Sequence, residues 1–175
     1  MPGVVRNWRV ELVEAYPDLF HPVGPPAVQG WPCVGDGWRD LLDARIRSAQ
    51  ADGVTFHATQ IKEKYGTLRF YWRGALSPEA RAKVEEAVNL AEARSACTCE
   101  VCGEPGPLYG PGWLTTRRTA HAEGCRLEEI CLGFENLLIE ERYVGDRRVM
   151  RCRRYDREND VFIDVAPASV GIQEK

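Results

Sequence analysis

The sequence lacks any long hydrophobic run, and it contains only three histidines and two methionines in 175 residues. No apolar stretch approaches the roughly 18 residues that a membrane-spanning helix needs. The N-terminal residues Met-Pro-Gly-Val-Val-Arg also lack the apolar region of a signal peptide. We therefore expect a cytoplasmic protein with no membrane partner.

Motifs that mark common enzyme classes are missing as well. The chain has no glycine-rich phosphate loop, no HExxH metal motif and no Ser/His/Asp set. Three histidines leave few candidates for general acid–base catalysis. These absences favour a non-enzymatic binding or regulatory protein, whose partner we expect to be another protein.

The charge shows no excess of one sign that would identify a partner. The formal net charge is −3 and the pI is near 5.7, so the molecule as a whole does not attract nucleic acid. The length and the 44% hydrophobic content are typical of a globular domain with one core.

The first half of the chain predicts helices around a β-hairpin. Residues 7–17 have helical spacing of apolar side chains, whereas prolines and glycines over 18–36 disfavour regular structure. Asp36 is expected to be the N-cap of a second helix, and Ser77 that of a third. Between them, we expect strands over 54–61 and 67–72, joined by a loop over 62–66.

The C-terminal segment predicts a different architecture. Residues 137–144, 148–155 and 161–165 are strand-like and are separated by turn formers, which indicates a three-stranded antiparallel meander. We predict an α+β fold with two parts, an α+β core with a helix-hairpin-helix and a zinc knuckle over 1–131 and a β-meander extension over 132–175. The meander either extends the same sheet or forms a small second lobe.

Seven cysteines are unusual for a chain expected to be intracellular, and they favour metal ligands and buried thiols over disulfides. The strongest local motif is Cys99-Glu-Val-Cys102-Gly103. Two thiolates separated by two residues can hold one tetrahedral metal, and the glycine lets backbone N–H groups point back at the sulfurs. A redox-active pair is the alternative, but such pairs follow a strand, whereas this one follows a predicted helix.

A structural zinc site requires four ligands, and His121 and Cys125 offer two more. They are four residues apart in a predicted helical stretch over 119–131, so both could face one ion. The predicted set is a closed Zn²⁺ site of Cys99, Cys102, His121 and Cys125. We assign the remaining cysteines to packing: Cys97 at a helix end, Cys131 and Cys152 in the core, and Cys33 in the long loop.

Several motifs together resemble a family of small uncharacterised proteins of bacteria and their prophages. The resemblance rests on Gly35-Asp-Gly-Trp38, on QIKEKYGTLRFY at residues 60–71, and on Cys99-x2-Cys102-Gly followed by Gly112-Trp113 and His121. It covers roughly residues 10–122 and implies a zinc-ribbon-like end of the form Cys-x2-Cys…Cys-x2-His, with no implied activity. The third cysteine of that pattern falls at Arg118 here. A mobile-element-encoded inhibitor or accessory factor is the role that this resemblance suggests.

Nucleic-acid binding is the alternative function. Lys62, Lys64, Tyr65 and Arg69 mark a possible interaction surface on the hairpin, between Lys62 and Arg73, and the C-terminal segment is rich in arginine. The simpler explanation of those arginines is a solvated sheet face balanced by acidic residues. A nuclease of the His-metal finger type is a further alternative, but Ala120-His121-Ala122 supplies no acidic neighbour.

Overall fold

The structure is a computed structural model that describes residues 6–173. The first part of the chain contains α1 (Trp8–Ala15), α2 (Pro17–Phe20), β1 (Pro32–Cys33), α3 (Arg39–Ala49), β2 (His57–Lys64), β3 (Thr67–Arg73) and α4 (Pro78–Ser95). The second part contains β4 (Leu108–Gly110), β5 (Thr115–Thr116), β6 (Arg126–Leu127), β7 (Leu137–Val144), β8 (Arg147–Asp156) and β9 (Val161–Val165). The predicted α+β class is confirmed.

The core lies between the four helices and the first sheet. In that sheet β2 is central, with β1 parallel to it on one side and β3 antiparallel on the other. Helix α3 packs on α4, which also packs against β3. Every helix and both strands of the hairpin contribute side chains to the core, including Trp8, Leu12, Phe20, Trp38, Leu42, Ile46, Ile61, Leu68, Phe70, Val84 and Ala91.

The hairpin is confirmed, but the predicted loop over 62–66 is wrong. The strands continue to Lys64 and restart at Thr67, so the turn is only Tyr65-Gly66. Both turn residues have positive φ, 56° for Tyr65 and 77° for Gly66. This is the arrangement of a type I′ turn, which matches the twist of the two strands.

The helix starts follow the prediction only in part. The side chain of Ser77 caps α4 by accepting a hydrogen bond from the backbone N–H of Ala80, as expected. The predicted cap at Asp36 is wrong, because Asp36 begins a short 3₁₀ turn and α3 starts at Arg39. The Asp36 carboxylate instead accepts a hydrogen bond from Trp8 Nε1 at 2.7 Å.

The segment over 18–36 is also more regular than predicted. Pro17 occupies the first position of α2, where its missing N–H is not needed. Residues Pro32 and Cys33 then form β1, which pairs with Ile61 and Lys62 in β2. Cys33 therefore belongs to the sheet rather than to a loop.

Residues between α4 and the meander form a small sheet with the strand order β5-β4-β6. The helix predicted over 119–131 is wrong. Residues Thr119–His121 form a 3₁₀ turn, after which Glu123 and Gly124 take positive φ angles of 48° and 79°. Helical backbone cannot continue through two left-handed residues, so the chain turns into β6.

The meander is confirmed as a sheet of its own, in the order β7-β8-β9. It packs against α4 through Arg153, whose Nη1 lies 2.8 and 2.7 Å from the two carboxylate oxygens of Glu86. Asp160, in the turn between β8 and β9, forms an ion pair with Arg45 of α3. Among residues 6–173, no helix combines the length and the apolar character needed to cross a membrane.

Candidate metal centre

Three of the four predicted ligands lie together. The ligand atoms of Cys99, Cys102 and His121 are all within 4.8 Å of one another. Cys99 Sγ lies 3.4 Å from His121 Nδ1. The Cys99 side chain is fully buried, His121 is half-buried and Cys102 is exposed, so the cluster opens to solvent on one side.

The local backbone explains why the two cysteines converge. The Cys99 N–H donates to Glu104 O at 2.7 Å, and the Gly103 N–H donates to Cys99 O at 2.9 Å. These bonds close a tight turn, and a bridge between Thr98 and Pro105 fixes its ends. We call residues 98–105 the knuckle turn.

The surroundings of Cys99 favour the thiolate form of its side chain. Its burial on its own disfavours the charged form. Against that, the backbone N–H of Arg118 and the His121 ring donate to the sulfur, as do the N–H groups of Cys102 and Val101. The net result lowers the pKa of Cys99 to about 7. A thiolate is the form that binds metal.

The distance between Cys99 Sγ and His121 Nδ1 is the one expected for two ligands of a tetrahedral ion such as zinc. Zinc–sulfur bonds of about 2.3 Å and zinc–nitrogen bonds of about 2.0 Å place a sulfur and a nitrogen ligand about 3.5 Å apart. The separation of 3.4 Å between Cys99 Sγ and His121 Nδ1 agrees with that value. The cluster can therefore hold a metal ion with the side chains close to where they stand.

His121 is delivered by the 3₁₀ turn that follows β5. The turn begins after Arg118, and the His121 N–H donates to Arg118 O at 2.8 Å. Because Arg118 also donates its own N–H to Cys99, residue 118 lies at the cluster.

The Gly-Asp-Gly-Trp motif is the surface on which the knuckle turn rests. Gly37 N–H donates to Glu100 O at 2.8 Å, and Trp38 Nε1 donates to Thr98 O at 2.8 Å. A Cβ atom on Gly37 would lie 2.3 Å from Cys99 O, so the close approach requires glycine. Trp38 is fully buried and anchors this contact.

The hairpin turn touches the same region from the other side. Thr116 in β5 donates its hydroxyl to Gly66 O at 2.6 Å and accepts from the Glu100 N–H at 3.1 Å. At the end of α4, the Ser95 hydroxyl accepts a hydrogen bond from the Leu68 N–H of β3 at 2.8 Å. The cluster of Cys99, Cys102 and His121 thus lies where the hairpin, α4 and the Gly-Asp-Gly-Trp motif meet.

Cys125 is outside the cluster found among the described residues. It is exposed and follows the left-handed Gly124, so the helix that was to align it with His121 does not exist. Its role as fourth ligand stays a prediction without that support. The burial assigned to Cys152 is confirmed, whereas that of Cys131 is wrong because Cys131 is exposed. Cys97 is half-buried, and burial raises the pKa of its thiol.

The predicted interaction surface is partly available. Lys62, Lys64 and Tyr65 extend along β2 to the turn, and Tyr65 is 64% exposed. Arg69 is engaged instead, because its Nη1 donates to Leu68 O at 3.1 Å and pairs with Glu92 at 3.5 Å. Trp113, which the sequence showed only as a motif landmark, is 75% exposed beside the same turn.

The arginines of the C-terminal segment mostly have partners within the protein. Arg142 pairs with Glu140, Arg148 with Glu141, Arg151 with Asp164, Arg153 with Glu86 and Glu140, while Arg154 donates to Gly133 O and Arg157 to Thr98 Oγ1. These contacts agree with a sheet face balanced by acidic residues. They leave the hairpin as the more available basic surface.

Comparisons with known proteins identify no relative of this chain. No family model matches it, and neither a curated protein nor a solved structure matches it.

Proposed function

We propose that this chain is a zinc-stabilised binding protein that acts through its surface rather than through catalysis. The observation that carries the proposal is the convergence of Cys99, Cys102 and His121 at the junction of the hairpin and the Gly-Asp-Gly-Trp motif. Two thiolates and an imidazole favour zinc among the common metals of proteins. Membership of the family of bacterial and prophage proteins, with an inhibitor or accessory role, remains part of the proposal.

A structural role for the ion follows from its position. Glu100, between the two cysteines, is bonded to Gly35, Gly37 and Thr116, so a metal that fixes the knuckle turn also fixes these contacts. Three ligands leave one position of a tetrahedral ion for water or an outside donor, as in catalytic sites. However, no carboxylate belongs to the cluster among the described residues. A general base beside such a water is therefore not provided by the cluster itself.

Metal removal tests the proposal. Zinc that binds only the folded chain stabilises it by about 4 kcal/mol at a thousand times its dissociation constant. For a chain of this size, that corresponds to a shift of the melting temperature on the order of 10 °C. We expect purified protein to carry one zinc ion per chain, and a chelator to lower its melting temperature by about this amount.

Two cysteine variants make the test specific. Cys102 and Cys131 are both exposed, so neither substitution by serine opens a cavity. Cys102→Ser should lose zinc and the response to chelator, whereas Cys131→Ser should keep both. Equal melting temperatures of the wild type with and without chelator would refute the proposal.

A further inference from the structure

A cleft of about 260 Å³ opens beside the hairpin turn. It is lined by Glu63, Lys64 and Tyr65 of the hairpin and by Gly112, Trp113 and Leu114 of the loop between β4 and β5. We call it the hairpin cleft. Its two aromatic side chains are largely exposed, 64% for Tyr65 and 75% for Trp113. A planar group entering the cleft would therefore meet exposed aromatic surface.

Tyr65 occupies a position that does not suit its side chain. Its φ of 56° is in the left-handed region, which a type I′ turn reserves for asparagine, aspartate or glycine. An exposed aromatic ring gains little burial there to offset the unfavourable backbone. Residues held in such conformations cluster at functional sites, so the tyrosine indicates a role beyond forming the turn.

Two lysines at the end of β2 lie beside aromatic rings: Lys64 lines the cleft, and Lys62 precedes it by two residues on the strand. Lys64 Nζ lies 5.1 Å from the centroid of the Tyr65 ring, and Lys62 Nζ lies 5.6 Å from that of Tyr71. Neither lysine forms an ion pair with a described residue. Their charge is therefore available to an anionic ligand, and it opposes a cationic one.

Glu63 adds one acceptor inside the cleft. Its Oε1 accepts the Gly66 N–H at 2.6 Å, which fixes the carboxylate at the turn. A fixed carboxylate can accept a hydrogen bond from the exocyclic amino group of a base. Aromatic walls, a hydrogen-bond acceptor and nearby ammonium groups together match the parts of a nucleotide.

We propose that the hairpin cleft binds single-stranded nucleic acid, with an unpaired base stacked on Tyr65 and Trp113 and the phosphates contacted by Lys62 and Lys64. Stacking of bases on aromatic side chains beside basic groups is how proteins bind single strands without reading their sequence. Of the charged side chains that line the cleft, Glu63 would contact the base and Lys64 the phosphate, which leaves none to contact the 2′-hydroxyl of a ribose. We therefore expect DNA and RNA to bind with similar affinity.

This proposal rests on the proposed function, because the knuckle turn holds the cleft together. The Trp113 loop leads into β5, whose Thr116 bonds both Gly66 at the hairpin turn and Glu100 in the knuckle turn. Loss of the metal would therefore weaken the contacts that hold the Trp113 loop against the hairpin turn. The zinc-loaded full-length chain is therefore the sample to test.

Fluorescence anisotropy with labelled 12-nucleotide strands measures the binding. Cytosine-containing DNA and RNA strands should bind with similar affinity, and the same DNA as a duplex should bind much more weakly. Two phosphate contacts on a single strand predict a slope of about −1.4 for the logarithm of the binding constant against that of the salt concentration.

Tyr65→Asn is the decisive variant, because asparagine suits the left-handed turn and the chain should fold at least as well. Loss of one stacked base should weaken binding on the order of 5- to 150-fold. Trp113→Ala should behave similarly. Tyr143→Ala, which removes an exposed ring from β7, should leave the affinity unchanged.

Three results would overturn the assignment. They are no binding by zinc-loaded protein at 50 mM salt, wild-type affinity in Tyr65→Asn, or a preference for the duplex. Zinc content measured on the same samples separates the two proposals. A zinc-free protein contradicts the proposed function, whereas zinc-loaded protein without affinity for single strands contradicts the ligand alone.

Discussion

Arg118 lies beside the cluster of Cys99, Cys102 and His121, to which the described residues add no fourth ligand group. Its backbone N–H donates to the Cys99 sulfur, but its side chain is exposed and is no metal ligand. His121 follows three residues later on the same 3₁₀ turn. A cysteine at position 118 would therefore place its sulfur beside the cluster.

Arg118→Cys should complete the ligand set and convert the site to four protein ligands. We expect it to bind zinc at least about tenfold more tightly than the wild type, because structural zinc sites are closed by four ligands. Competition with a zinc-binding dye measures the change. Arg117→Cys is the matched control, since the Arg117 side chain bonds Thr115 instead. Equal affinities in the two variants would show that residue 118 does not face the ion.

Single residues were predicted unevenly from the sequence. Cys99 and Cys102 could be named because their spacing alone forms a turn with both sulfurs on one side. His121 was predicted from its four-residue spacing to Cys125 in a helix that does not form, and the 3₁₀ turn nevertheless brings it to the same cluster. Trp113 could not be named as a surface residue, because only the fold places it beside Tyr65.

At the scale of elements, the contact between the Gly-Asp-Gly-Trp motif and the knuckle turn is the closest backbone approach at the site. A Cβ atom at position 37 would lie 2.3 Å from Cys99 O and 2.5 Å from Gly103 N. Both neighbours are backbone atoms within the turn, so neither can swing aside as a side chain would.

Gly37→Ala should therefore push the knuckle turn away from α3 and weaken metal binding. Overpacking of this kind costs about 1–3 kcal/mol of unfolding free energy. Urea unfolding and zinc titration measure the two effects. Gly74→Ala is the milder comparison, because an added Cβ there would lie 3.3 Å from Phe56 Cβ, which needs to shift by only a few tenths of an ångström. A Gly37→Ala variant with wild-type stability and zinc affinity would contradict this account.

Elements with strong periodicity were predicted well. The hairpin and the meander were predicted from apolar side chains alternating with period two, and α4 from its Ser-Pro-Glu start. The structure confirms all three elements. The helix predicted over 119–131 is wrong. The four-residue spacing of His121 and Cys125 is typical of a helix, but the left-handed Gly124 interrupts the backbone between them. The sheet pairing of Cys33 was missed because a two-residue strand has no periodicity.

At the scale of the whole molecule, Arg153 joins the meander to the helical core. Its guanidinium is nearly buried and contacts both Glu86 of α4 and Glu140 of β7. It also lies 4.4 Å from the centroid of the Phe162 ring. Breaking such a pair leaves carboxylates without their counter-charge.

Arg153→Gln should lower the free energy of unfolding by about 3 kcal/mol, near the low end for a buried pair because Glu86 is half-exposed. Zinc content should not change, since the substitution is made in the meander. Arg151→Gln, which removes an exposed pair with Asp164, should cost less than about 1 kcal/mol. Similar losses in the two variants, measured by urea unfolding, would argue against the role of Arg153.

Contacts between residues far apart in the chain could not be predicted from the sequence. Nothing local connects Gly37 with Glu100 or Arg153 with Glu86, because each pair is separated by more than 60 residues. The sequence allowed the meander to extend the hairpin sheet or to stand apart, and the structure makes it a separate sheet. The boundary between 1–131 and 132–175 as two domains stays a prediction.

X-ray absorption at the zinc edge, recorded on the purified full-length protein, tests the central claim most directly. We predict two sulfur ligands at about 2.3 Å, from Cys99 and Cys102, and two lighter ligands at about 2.0 Å, one of them the His121 imidazole. A shell of three sulfurs would bring Cys125 back as a ligand and contradict the three-residue cluster. A protein without zinc would contradict the metal centre altogether.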